Sequence, residues 1–338
     1  MRMIQPVPEA TETRGSYRDP LALLADCDLQ VSDLPYPVDT APEFPFLVPR
    51  SLAARIRPGD PNDPVLRQVL SSLEERDPDP LASRDPVGET QFTVDGGLIR
   101  KYPGRALLVT TGACAVHCRY CFRRHTDYAE VGMGHQIDQA VDAIRSDPSL
   151  HEIILSGGDP LSLSAQRLTK LIAALEAIDH VQTLRLHSRT LVVAPGRVAN
   201  HLVERLASSR LRVVLVTHVN HPNELGPEAS ERLHALARAG VTLLNQAVLL
   251  QAVNDDVTTL AALSEALFAN RVLPYYLHAL DPVAGASHFR VPDSRALPLM
   301  QALRDRLPGY LVPRYVREVP GDASKRPVTS DVPPTAQA

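Results

Sequence analysis

The chain has 338 residues, a formal net charge of −4 and 44% hydrophobic residues, which suits one large α/β domain with an extension, or two domains. The mildly acidic balance carries no signature for nucleic acid or a membrane surface. No run of 18 apolar residues could span a bilayer, and the opening "MRMIQPVPEATETRG" lacks the apolar stretch of a signal peptide.

Residues 1–95 show no strong period, and many of the 30 prolines lie there and in the last thirty positions. Both ends are therefore expected to be irregular and to wrap a regular middle. Asp19–Cys27 and Asp63–Asp77 read as short amphipathic helices, each opened by an Asp-Pro pair. Cys27 reads as a small buried hydrophobe.

From residue 105 short apolar runs alternate with helical stretches. Strands are expected at 106–111, 152–157, 183–188, 212–218, 241–250 and 272–280. Helices are expected at 137–146, 164–178, 196–209, 227–240 and 256–270, with Gly240 just past a helix end. Near-continuous apolar strands are those of a parallel sheet covered by helices. Six such units fall short of the eight that close a barrel. The fold expected is α/β, a partial (β/α)6 barrel over residues 96–310, with a helical and irregular extension at 1–95 and a covering C-terminal segment at 311–338. A doubly wound sheet is the competitor, weakened by the lack of a G-x-G-x-x-G after the first strand.

Chemistry in parallel α/β folds gathers at the carboxyl ends of strands, and the unusual polar residues track those ends. They are a cysteine loop after the first strand, "SGGDP" (156–160), "HSR" (187–189), "THVNHPNE" (217–224), "NQ" (245–246) and "HALDP" (278–282).

Three of the four cysteines fall in "CAVHCRYC", spaced Cys114-x3-Cys118-x2-Cys121. Such a cluster implies a metal centre in a reducing compartment, hence a cytoplasmic protein, rather than a disulfide framework. Zinc would need a fourth ligand, from Cys27, His117 or His125; a zinc-binding interaction protein is the non-enzymatic alternative. A [4Fe–4S] cluster with three cysteines would leave one iron open for a small molecule.

The motif resembles the CxxxCxΦC signature of radical S-adenosylmethionine (SAM) enzymes, with Tyr120 as the aromatic residue. That resemblance implies Cys114, Cys118 and Cys121 as cluster ligands and SAM on the open iron. It places Ser156, Gly157, Gly158 and Asp159 of "SGGDP", with His218 and Gln246, against SAM. "CFRRH", "LSGGDPL", "RLHSRT", "THVNHPNE", "NQAVLLQAVND" and "GYLVPRYV" together resemble the lysine 2,3-aminomutases, over about residues 55–330.

The likeness implies an isomerase that also uses pyridoxal phosphate, bound to Lys325 of "PGDASKRP". By itself a lysine in such a tail is a solvated surface residue. It further implies Arg105 near the cofactor phosphate and Arg123 on the substrate carboxylate. Asp281 and Glu318 would face the substrate ammonium, with Glu318 standing where free-lysine enzymes have Asp. Arg124 reads as a surface arginine. The implied reaction is a 1,2-shift of the amino group of L-lysine, started by a 5′-deoxyadenosyl radical.

"GDAS" in place of a glycine run resembles the branch that makes (R)-β-lysine for elongation factor P; a catabolic aminomutase is the alternative. That branch implies a flavodoxin- or ferredoxin-like electron donor, a β-lysine ligase and a homo-oligomer. Only 13 residues (338 − 325) follow Lys325, so no zinc-binding tail is expected.

Overall fold

The computed structural model describes residues 15–127 and 134–329. The opening segment read for a signal peptide lies mostly outside them, as do residues 330–338 of the covering segment. Ten strands form one sheet, each hydrogen-bonded to the next in chain order. They are β1 (Thr93–Val94), β2 (Leu98–Tyr102), β3 (Arg105–Thr111), β4 (Glu152–Gly157), β5 (Thr183–Ser188), β6 (Arg212–Thr217), β7 (Thr242–Val248), β8 (Leu273–His278), β9 (Arg314–Arg317) and β10 (Arg326–Pro327).

Strands β3 to β9 run parallel. The order never reverses, so the sheet has no switch point and winds one way as a partial barrel, which removes the doubly wound alternative. Among the described residues β1 and β10 are unpaired on their outer sides, so the barrel is open. The six expected strands are present, and β9 adds a seventh parallel one. β2 and β10 pair antiparallel at the two flanks.

The helices lie where the sequence placed them, with revised ends. Gly134–Arg145, Ala165–Glu176, Asn200–Ala207, Pro227–Arg238 and Val257–Ala269 each follow a strand. Gly240 has φ +82° beyond the Pro227–Arg238 helix, a conformation a side chain resists. The expected helix at 63–77 is broken instead. Pro64–Val69 is helical, Leu70 is extended, and Ser72 caps a separate turn at Leu73–Arg76. Serine competes for local backbone donors and so opens a new turn rather than continuing the old one.

Successive residues of a strand face opposite sides, and the two sides here differ. In β5, Leu184 and Leu186 are buried under the helices while His187 faces the barrel interior. In β7, Leu243 and Ala247 pack outward and Gln246 and Val248 face inward. The apolar runs are therefore not evenly buried, because the inner face lines a cavity. The extension builds its own core around Leu23, Leu24, Leu52, Leu66 and Val69, and that core packs on Ala115 and Val116 of the cysteine loop. Cys27 sits in it, and burial pushes its thiol up to about 11. Among the described residues no helix is long and apolar enough to cross a membrane.

Candidate active site

The strand ends converge on one cavity of about 260 Å³. The cysteine loop forms one wall. It is pinned by backbone bonds to the extension, from His117 N–H to Leu47 O (2.9 Å) and from Arg119 N–H to Gln68 O (3.0 Å). A turn closes it, with Cys121 N–H donating to Cys118 O at 3.1 Å. Cys114, Cys118 and Cys121 all line the cavity. Burial raises the Cys114 thiol well above its usual range and the Cys121 thiol to about 11, so thiolates here require compensating positive charge.

Of the fourth ligands considered for zinc, Cys27 and His125 do not reach this wall. His125 Nε2 lies 2.9 Å from Ala284 O. His117 Nδ1 is held at 2.8 Å from Pro45 O. Among the described residues no His, Cys, Asp and Glu side chains group closely enough to hold a single metal ion. The donor set fits a larger, sulfur-ligated cluster better than a closed zinc site.

The SGGDP loop follows β4. The contacts that demand its glycines are internal. A Cβ on Gly157 (φ +119°) would stand 2.5 Å from Thr111 O, and one on Gly158 2.4 Å from Ala113 O. They let this loop lie flat against the cysteine loop. Asp159 lines the cavity and is also held from within the protein. Its buried carboxylate accepts from Ser188 Oγ (2.7 Å), Arg189 N–H (2.8 Å), Thr190 N–H (2.8 Å) and Leu161 N–H (2.9 Å). It therefore ties the end of β4 to the end of β5. Ser156 Oγ accepts from Arg123 at 2.9 Å.

Arg123 stands in the cavity, already gripped. Its Nε and Nη2 donate to Glu89 at 2.8 and 2.6 Å, and its Nη1 to Ser156 Oγ and Gly157 O. A bidentate carboxylate partner is thus in place, supplied by the extension. Gln246 Nε2 donates to His218 Nε2 at 2.7 Å, which puts any proton of neutral His218 on Nδ1. Burial lowers His218 to about 3, so the imidazole is neutral.

The far end of the cavity holds Lys325, Glu318, Asp281 and Arg105. Glu318 Oε2 pairs with Lys325 Nζ at 2.6 Å, and Oε1 accepts from Tyr102 at 2.5 Å and from Lys101 Nζ. Burial opposes the charge of Glu318, yet Lys325 and the Lys101 bond outweigh it and hold the carboxyl down at about 2. Asp281 is the opposite case. Its Oδ1 is buried and has no hydrogen-bond partner among the described residues. Burial lifts it to about 7, despite the lowering effect of Lys325. Arg105 lies over the Tyr102 ring at 4.7 Å.

Several site residues lay beyond sequence reasoning. Lys101 and Tyr102 come from β2, brought alongside by antiparallel pairing with β3. Glu89 precedes that hairpin. Arg189 donates to Cys118 Sγ at 2.7 Å and to Tyr120 at 2.5 Å, and is held by Glu224 and Gln68. The sequence traces of this group are "HSR" (187–189) and the polar string 217–224, where Glu224 accepts from the Asn220 and His221 amides. Arg124, read as a surface residue, is buried and pairs with Glu75, because the extension covers its loop.

A family model described as the Radical SAM superfamily matches residues 108–263. An L-lysine 2,3-aminomutase of Escherichia coli K12 is 49% identical over 286 residues, covering 84% of this chain and 83% of its own length. The protein of that name from Haemophilus influenzae is 40% identical over 316 residues, covering 93% and 94%. That from Clostridium subterminale is 40% identical over 275 residues, covering 81% of this chain and 66% of its own length.

Proposed function

The chain belongs to the L-lysine 2,3-aminomutase family of radical SAM isomerases, and from that premise we propose that it converts L-α-lysine to (R)-β-lysine, destined for elongation factor P. The family implies a [4Fe–4S] cluster and SAM; pyridoxal phosphate is part of the proposal. When bound, these groups supply a 5′-deoxyadenosyl radical and an aldehyde carbon for the amino group.

One observation carries the reading: a single cavity joins three thiols at one wall to a half-buried lysine and two carboxyls at the other. The residues present fit the groups. Arg189 Nε, His187 Nε2 and Asp281 Oδ1 are buried without protein partners and belong to residues lining that cavity, so polar ligands there would complete them. Cys114, Cys118 and Cys121 would hold the cluster, with the Arg189 guanidinium beside Cys118. His218 and Gln246 would contact SAM from the ends of β6 and β7. Arg105 would offer positive charge to a phosphate, and Lys325 the amine.

This chain's own groups then select the substrate. A distal ammonium supplies the missing partner of Asp281 and keeps that carboxyl ionised. A glutamate side chain would meet two carboxyls and be repelled. Arg123 would receive the α-carboxylate as Glu89 yields or shares its donors.

The elongation factor P destination rests on the likeness of "GDAS" to that branch, together with a flavodoxin- or ferredoxin-like donor, a β-lysine ligase and a homo-oligomer. Two experiments test the proposal. Reduced, anaerobic enzyme given lysine, glutamate or other amino acids should form a β-amino product from lysine; a preference for glutamate overturns the substrate. Deleting the gene should lower the mass of elongation factor P; an unchanged mass overturns the destination.

A further inference from the structure

The N-terminal extension meets the cysteine loop at an ionic centre that the reaction outlined above leaves unused. Glu75 lies between Arg119 and Arg124, one residue past Cys118 and three past Cys121. Arg119 donates to it through Nε (2.7 Å) and Nη2 (2.5 Å), and Arg124 through Nη2 (2.5 Å). Side-chain exposure is 6% for Glu75, 0% for Arg119 and 5% for Arg124. The Ser72 amide adds a fourth bond, at 3.2 Å.

The Nη1 donors of both arginines go to backbone carbonyls that frame the loop, while Arg124 Nε has no partner among the described residues. Arg119 reaches Phe44 O and Pro45 O; Arg124 reaches Arg119 O at 3.0 Å and Gly285 O at 2.7 Å. The Phe44 ring lies against both guanidinium groups, at 4.8 and 4.7 Å. Glycine suits position 285, where φ is +86° and a Cβ would stand 3.0 Å from Arg124 Cζ. Three separate segments are thus built around one carboxylate.

We infer that Glu75 is a positioning residue for the iron–sulfur centre: it fixes the Cys118–Cys121 turn and cancels one of the two buried positive charges beside it. The inference rests on the reading of Cys114, Cys118 and Cys121 as cluster ligands. A cluster sees the charge of its surroundings, and buried charges are weakly screened. Two guanidinium groups and one carboxylate leave a net charge of about +1. Removing Glu75 raises it, which favours the reduced cluster. Removing Arg124 lowers it, which favours the oxidised one.

The test is an anaerobic redox titration of the full-length, iron-loaded protein, followed by electron paramagnetic resonance. Glu75→Gln should raise the midpoint potential and lower iron retention, Glu75→Asp should restore both towards wild type, and Arg124→Gln should lower the potential. A loop that was merely loosened would move the Gln variants in the same direction, which overturns the inference, as does a wild-type potential in Glu75→Gln. Should Glu75→Gln fail to fold, Arg124→Gln decides alone, and an unchanged or raised potential there overturns it. A cluster that survives Cys118→Ala would instead overturn the ligand reading on which this rests.

Discussion

The two ends of the cavity handle buried charge in opposite ways. At the cysteine end, Arg119, Arg124 and Arg189 each have a carboxylate partner at 2.5–2.8 Å. At the lysine end, one carboxylate, Glu318, takes three donors, while another, Asp281, takes none at Oδ1. A buried charge without a partner is costly and holds a proton instead. The arginine charges at the cysteine end are thus paired as folded, with Arg189 Nε left for a ligand, whereas the lysine end is arranged to be rearranged by what binds there.

The largest effects separate the ends cleanly. Cys118→Ala should abolish iron binding and activity together, read by iron and sulfide analysis. Lys325→Ala should cut turnover by at least about 10³-fold, the scale of losing a covalent or proton-transfer group, with iron content unchanged. If Lys325→Ala also loses iron, the ends are not independent.

Next come effects on the fold. Glu75→Ala strips two buried arginines of their partner and should cost about 3–5 kcal/mol in denaturant unfolding. Asp281→Asn should cost no stability above pH 7, since it removes an unpaired carboxyl. It should instead weaken lysine binding by about 2–3 kcal/mol, or roughly 30- to 150-fold in KM, the usual cost of losing one member of a buried charge pair.

The smallest effect is a pH dependence. Asp281 moves from 3.8 to about 7 on burial, so between those values the empty folded protein binds its proton more tightly than the unfolded chain. Its contribution to stability therefore falls as pH rises through that window. For lysine the sign is reversed: KM should rise as pH drops below about 7, because the protonated acid offers no charge to the ammonium. Asp281→Asn should flatten both profiles.

The parallel strands were legible because their apolar runs and the helices between them repeat with two distinct periods. β9 and β10 were not, since "RYVR" and "RP" are too short and charged to show a period; they are strands because β8 and β9 offer them an edge. The cysteine motif and the strand-end polar residues could be read locally. Glu89, Lys101 and Glu75 could not, because their partners lie 34, 217 and 44 residues away and nothing in the local sequence announces the pairing. The same blindness misplaced Arg124 on the surface.

The most direct test of one cavity serving both ends is isotope transfer. Reduced enzyme is incubated with SAM, pyridoxal phosphate and L-lysine deuterated at the β-carbon, and SAM is recovered for mass spectrometry. Deuterium in its 5′-methylene group is the predicted result, since the radical formed at the cysteine wall must reach a substrate held near Lys325. Unlabelled SAM alongside β-lysine formation would contradict it.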